Sequence, residues 1–191
     1  MTGLIVFTHE IDSHHNFNVS DPCPFIALPN GDDLETGTMP RPDMPGAPMT
    51  GYEEVWRYLP PHEGPEGPGN GFSWILESDD GDLGEGQFHI QKVFLARICG
   101  TYLALHQGQT RVRTQTAQGW AVKVSGGDVS ARREEWIGHR WEEKCTLGSN
   151  SGDLLSMAKG FDKKSQSSWY PGAMVNVGGH RYIVQAFEEL A

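Results

Sequence analysis

Residues 89–147 read HIQKVFLARICGTYLALHQGQTRVRTQTAQGWAVKVSGGDVSARREEWIGHRWEEKCTL. Along this stretch side chains alternate in character with a period of two, and no helical spacing dominates. β-Branched and aromatic residues recur, and glycines cut the run at short intervals. The pattern predicts a meander of strands over His89–Cys99, Thr101–Gln107, Thr110–Ala117, Trp120–Ser125, Val129–Ile137 and His139–Leu147. The breaks fall at Gly100, Gly108, Gly119, Gly126–Gly127 and Gly138, the residue type that accepts the backbone of a tight hairpin turn.

The same alternation extends outward. Residues 3–11 read as a first strand, with Leu4, Val6 and Thr8 on one face and Ile5, Phe7, His9 and Ile11 on the other. Asp21-Pro22 through Asn30-Gly31-Asp32 reads as loop and turn, followed by a short strand near Leu34–Met39. Residues 40–50, with four prolines, form a connection to a strand over Tyr52–Tyr58. A loop from Pro60 to Gly71, a strand over Phe72–Glu77 and an acidic turn over Ser78–Gly86 lead into the meander. Beyond it, Ser151 or Asp153 caps a helix over Leu154–Lys159 that Gly160 closes. The chain ends in a hairpin, Ala173–Val177 and Arg181–Phe187, about Gly178–Gly179. About ten short strands without strand–helix alternation predict an all-β, up-and-down antiparallel β-barrel with one short helix. Residues 1–191 are expected to form a single domain.

Charge narrows the partners. A net charge of −10 in 191 residues speaks against nucleic acid and against an anionic membrane surface, which need clustered Lys or Arg. Arg111, Arg113, Arg132 and Arg133 read as solvated side chains on a β ribbon. Cys23, Cys99 and Cys145 are odd in number and widely spaced, so neither a disulfide framework nor a zinc site is expected. Leu4-Ile5-Val6-Phe7 is too short for the core of a signal peptide, and no apolar run is long enough to span a bilayer. The Asn18-Val19-Ser20 sequon then reads as accidental, and the expected compartment is the reducing cytoplasm.

Reactive motifs are few. His14-His15 beside His9 and Asp12 invites a metal reading, but adjacent residues of an extended segment point to opposite faces. The acidic run Asp79–Glu85 resembles a calcium loop until the position that requires Glu, where Gln91 stands. In Gly148–Gly152, Asn150 occupies the place a nucleophile elbow gives to Ser. No Gly-rich phosphate loop follows a strand. No metal and no cofactor are therefore expected. What remains is aromatic and basic. His106, Arg113 and His9 are the candidate catalytic donors. Tyr52, Trp56, Trp74, Tyr102, Trp120, Trp136, Arg97 and Arg111 are the candidate substrate-binding residues. In a barrel these side chains either fill the core or line a cavity, and prepositioned donors there stabilise developing negative charge.

The segments His9-Glu10-Ile11-Asp12-Ser13, Leu28-Pro29-Asn30-Gly31-Asp32, Glu35-Thr36-Gly37-Thr38-Met39 and Tyr52-Glu53-Glu54-Val55-Trp56 carry a family resemblance. It continues more weakly in Arg133-Glu134-Glu135-Trp136 and the terminal hairpin. Together they resemble the fungal Hri-one family, named for a yeast protein that interacts with the casein-kinase-like Hrr enzyme. The resemblance implies a lipocalin-like (calycin-type) barrel. It also implies that this chain corresponds to the second of two barrels in the founding member, so that a homodimer would replace the missing neighbour. Single-barrel fungal proteins of this kind occur among natural-product biosynthesis genes. That implies a cofactor-independent cyclase or isomerase, a Diels–Alderase-like pericyclase, folding an apolar polyketide or terpenoid intermediate into a near-attack geometry. The alternatives are a non-catalytic carrier of a small apolar metabolite and a protein-interaction module.

Overall fold

The computed structural model describes residues 2–41, 43–81, 83–161, 166 and 168–190. Among these residues the chain forms eleven strands, a 3-10 turn over Ser151–Asp153 and a short helix, α1, over Met157–Gly160. The strand pairings are antiparallel throughout. The chain divides into two compact units, one of Met1–His9 and Asn18–Pro60, the other of Glu10–Phe17 and Pro61–Ala191.

The first unit is one sheet of β1 (Thr2–Thr8), β2 (Ser20–Ala27), β3 (Asp33–Pro40) and β4 (Met49–Trp56), in chain order. Strand β2 corrects the expectation of a loop there. Pro22 and Pro24 did not prevent pairing, because they stand two residues apart and lose their N–H groups on the same side. That side faces β3, which pairs with β2 only from Phe25 onward. Toward β1 the two prolines face Val6 and Leu4. The turn before β3 is held by Gly31 N–H donating to the Leu28 carbonyl at 3.1 Å, with Gly31 at φ 86°. Only glycine accepts that conformation without strain.

The second unit is built on a curled, half-barrel sheet. Its strands are β5 (Gly71–Ser78), β6 (Gly86–Ile98), β7 (Thr101–Thr116), β8 (Gly119–Ile137), β9 (Arg140–Leu147), β10 (Met174–Val177) and β11 (His180–Leu190). The order is β10-β11-β5-β6-β7-β8-β9. Strands β6 to β9 occupy the predicted meander, with β7 and β8 each spanning two of its expected strands, and the all-β, barrel-like class holds.

Two of the predicted breaks are not turns. Gly100, Gly138 and Gly178–Gly179 do lie between strands, and Gly119 opens β8 directly after its turn. Gly108 and Gly126–Gly127 instead lie inside β7 and β8, where the register shifts between Gln107 and Gln109. A bulge uses glycine as readily as a hairpin does. The reason here is close approach: a Cβ on Gly126 would stand 2.6 Å from the Phe17 ring and 2.7 Å from Gln107 Nε2. Gln107 crosses the strand to donate to the Gly127 carbonyl at 2.8 Å and the Asp12 carbonyl at 2.9 Å. The result is one long hairpin in place of two short ones.

Side chains on one face of the curl form the core: Trp74 and Leu76, Leu95, Tyr102 and Ala104, Tyr182 and Val184. Leu154, Met157 and Trp169 cover them. The helix begins later than the capping signals suggested. Ser151–Asp153 is consumed by the 3-10 turn, Leu154 is extended so as to enter the core, and Ser156 caps α1 with Oγ accepting from Ala158 N–H at 3.2 Å. Buried Glu134 accepts from Met157 N–H at 3.0 Å and so ties α1 to β8.

Candidate functional site

The second unit contains a cavity of about 480 Å³ at one end of the core. Strands β5, β6 and β7 supply Ser78, Gln91, Val93, Leu95 and His106 to its wall. The turn before the covering segment supplies Asn150, Asp153, Leu154 and Leu155, and the β10–β11 hairpin supplies Gly178, His180, Arg181 and Tyr182. Strand alternation brings these groups together: Leu95 and His106 share the core face of neighbouring strands. Gly178 stands at the rim with a φ of 59°, which favours glycine, and Leu155 packs where a Cβ would otherwise lie.

His106 is the polar focus of the wall. Gln91 Oε1 lies 2.5 Å from its Nε2. The Gln91 carbonyl can only accept, so Nε2 carries the proton and Nδ1 is left with a lone pair. Nδ1 is enclosed and has no hydrogen-bond partner. Burial pushes the imidazole below its usual range, and the charge of Asp153 opposes the shift only in part. His106 is therefore neutral at pH 7. At the rim, the Gly81 N–H and then Arg181 hold the Asp79 carboxyl below the usual carboxylate range. Arg181 is in turn engaged by Asp79. The cavity thus offers an apolar floor of Val93, Leu95, Leu154 and Leu155 and a polar wall in which His106 is neutral, Asp79 is paired with Arg181 and Asp153 carries a charge.

The predicted donors do not converge there. His106 lines the cavity. Along β7, His106 and Arg113 differ in parity and point to opposite faces of the sheet. Arg113 donates to the Leu83 carbonyl and lies 4.4 Å over the ring of Trp120, which is 48% exposed. Arg111, on the same face, pairs with Asp80 at 3.1 Å and approaches Glu10 at 3.8 Å. Beside it, buried Lys92 is held by Glu77 and, at 2.8 Å, by Asp80. These charges neutralise one another. His9 belongs to the first unit, with its Nε2 2.8 Å from Asp21.

Most of the predicted aromatics and Arg97 are structural. Trp74 packs edge-on against Tyr102 and Trp169, and its Nε1 donates to Gln166 at 3.2 Å. The Tyr102 hydroxyl donates to the Leu155 carbonyl at 2.9 Å. Arg97, 1% exposed, donates to Glu66 at 2.5 Å and to the Cys99 carbonyl at 2.7 Å. Trp136 meets Trp141 at 5.8 Å between centroids. In the first unit Tyr52 and Trp56 both donate to buried Glu35, at 2.7 and 2.8 Å. Asn150, Asp153, His180 and Gln91 line the cavity and carried no local signal in the sequence. They come from turns and strands far apart in the chain. Of the site residues singled out in the sequence, His106 lines the cavity.

Among the described residues no group of three or more His, Cys, Asp or Glu is placed to hold a metal ion. His14 and His15 diverge: the His14 N–H donates to Asp12 at 2.6 Å, while the His15 ring stacks on Phe17. In the acidic run before β6, Asp82 lies outside the described residues. No helix among the described residues is long and apolar enough to cross a membrane.

Comparison with known proteins agrees with the fold. No curated protein matches the sequence. The crystal structure of the uncharacterized protein YLR301w from Saccharomyces cerevisiae is similar, with a TM-score of 0.54 at 12% identity. The likeness covers 93% of this chain and 64% of that one, so the chain spans just under two thirds of its length. The four segments between His9 and Trp56 that carry most of the sequence resemblance fall within a longer match, over residues 2–180, to the family described as Protein HRI1, and the chain belongs to that family.

Proposed function

We propose that the second unit binds a small, largely apolar molecule in the cavity beside His106 and releases it unchanged. The observation that carries this reading is the cavity itself. Its volume falls within the range of about 300–1,000 Å³ common to small-molecule sites, and its lining sets an apolar floor against a polar wall. A neutral imidazole with a free lone pair suits recognition of an uncharged ligand. Cofactor-free cyclisation asks more of a site, namely several donors aimed at one reacting group. His106 alone of the expected donors lines this cavity, so binding is the reading the geometry supports better.

Calorimetric titration with 2-naphthol, an uncharged bicyclic probe, tests it. Eleven heavy atoms at about 0.5 kcal/mol each give a Kd on the order of 100 μM. Saturable binding is expected, and Leu155→Trp, which fills the rim, should abolish it. Absence of saturable binding, or binding indifferent to Leu155→Trp, overturns the reading.

A further inference from the structure

We propose that β1 is a pairing edge for β1 of a second copy of this chain, joining two first units into one continuous sheet about a twofold axis centred on Ile5. Strand β1 stands at the edge of its sheet and pairs with β2 alone among the described residues. Its backbone orientation follows from the prolines opposite. Leu4 faces Pro24 and Val6 faces Pro22, and neither proline has an N–H to exchange. Both are therefore non-hydrogen-bonded pairs, so the N–H and C=O groups of Leu4 and Val6 point away from β2 to the open edge. By the same alternation Thr2 and Thr8 point their backbone groups outward, while Gly3, Ile5 and Phe7 bond to β2.

An antiparallel copy fits this edge in one symmetric register. Ile5 faces Ile5 of the second copy, Leu4 faces Val6, Gly3 faces Phe7, and Thr2 faces Thr8. Leu4 with Val6, and Thr2 with Thr8, are then hydrogen-bonded pairs, giving up to about eight bonds between the chains. The side-chain pairs match as well. Ile–Ile and Leu–Val are favourable cross-strand neighbours, and a Phe ring laid over a facing Gly shields backbone that glycine leaves bare. The first unit already uses that device: Tyr52 faces Gly37, and its ring would lie 2.6 Å from a Cβ there.

Charge selects a second copy as the occupant. Thr2–Thr8 contains no charged residue and no proline, in a chain of net charge −10. Self-association through most other surfaces opposes carboxylates, whereas this edge opposes none. The other edge strand, β4, carries Glu53 and Glu54 and is protected in the usual way. On β1, Leu4 is 66% exposed, Val6 51% and Ile5 45%. A long, uncharged, apolar edge of this kind is otherwise an aggregation hazard, and pairing removes it.

Three measurements on the full chain decide the matter. Sedimentation equilibrium should show a monomer–dimer transition between about 1 and 100 μM, as a small interface gives. Val6→Pro removes an N–H that β2 does not use, so it should retain the native circular dichroism yet weaken dimerisation at least about tenfold. Ile5→Cys, in a Cys145→Ser background because Cys145 is exposed, should cross-link as a symmetric disulfide dimer on mild oxidation. A chain monomeric at about 100 μM overturns the proposal. So does a dimer indifferent to Val6→Pro, or one in which Ile5→Cys fails to cross-link, since either places the interface elsewhere or in another register.

Discussion

Substituting Ala for Gly100 should undock residues 62–66 from the turn between β6 and β7. Gly100 stands in the β6–β7 turn, where its N–H donates to the His62 carbonyl at 2.9 Å and its carbonyl accepts from Trp136 N–H at 2.8 Å. A Cβ at Gly100 would lie 2.8 Å from the carbonyl carbon of Glu63 and closer still to its oxygen. That backbone must retreat by about 0.6 Å before the carbon alone reaches the 3.4 Å of ordinary contact. Retreat loses the bond to His62, worth about 1 kcal/mol. It also draws Glu66 away from Arg97, and an ion left buried without its partner costs about 3–5 kcal/mol. Arg97 keeps the Cys99 carbonyl and the face of Trp141, 5.5 Å away, so part of that cost is recovered. The expected loss is about 2–4 kcal/mol by urea denaturation, a Tm drop of roughly 4–16 °C for a chain of this size. Gly152→Ala, with nothing within 4 Å of the added Cβ, is the control and should cost under about 0.5 kcal/mol. Because Gly100→Ala and Glu66→Ala break the same contact, the double variant should cost little more than the larger single one. A Gly100→Ala loss equal to that of Gly152→Ala, or full additivity with Glu66→Ala, would refute the reasoning.

Other outcomes follow from the same structure. Glu134, 1% exposed, accepts from Arg132 at 2.5 Å and from the first N–H of α1. Glu134→Ala should therefore cost about 3 kcal/mol, and Glu134→Gln distinctly less, by urea denaturation. Burial lowers the His106 pKa, so the unfolded chain binds a proton more readily than the folded one. Its contribution to stability should be constant well above pH 6.5, fall as pH drops through that value, and level off below the folded pKa. His106→Gln should flatten that part of the profile of urea midpoint against pH, and an unchanged slope would show that His106 does not titrate as described. Gly37→Ala should displace the Tyr52 ring and expose Glu35, seen as faster amide exchange in β3 and β4.

The β meander was legible because alternation and glycine punctuation act locally: β5, β6 and β9 appear where periodicity put them, while β7 and β8 each join two expected strands. Glycine itself misled at Gly108 and Gly126–Gly127. At Gly126 it answers the approach of Gln107 and Phe17, which no local pattern carries. Proline misled at β2, since whether a missing N–H matters depends on which neighbour lies on that side. The candidate site was harder to read. Parity told which side chains share a strand face but not which face lines the core, and with a break expected at Gly108 it could not separate His106 from Arg113, which the unbroken β7 places on opposite faces. Arg97 looked like a ligand-binding cation. It is instead neutralised by Glu66, as Lys92 is by Glu77 and Asp80, through contacts set by the tertiary fold.

Binding in the cavity beside His106 is tested most directly by mapping amide chemical shifts of the nitrogen-15-labelled chain during titration with 2-naphthol. Shifts concentrated at Gln91, Leu95, His106, Leu155 and Gly178, saturating together, are the predicted result. Shifts that spread over the exposed apolar face of Leu4 and Val6, or that leave the amides around His106 unmoved, would contradict it.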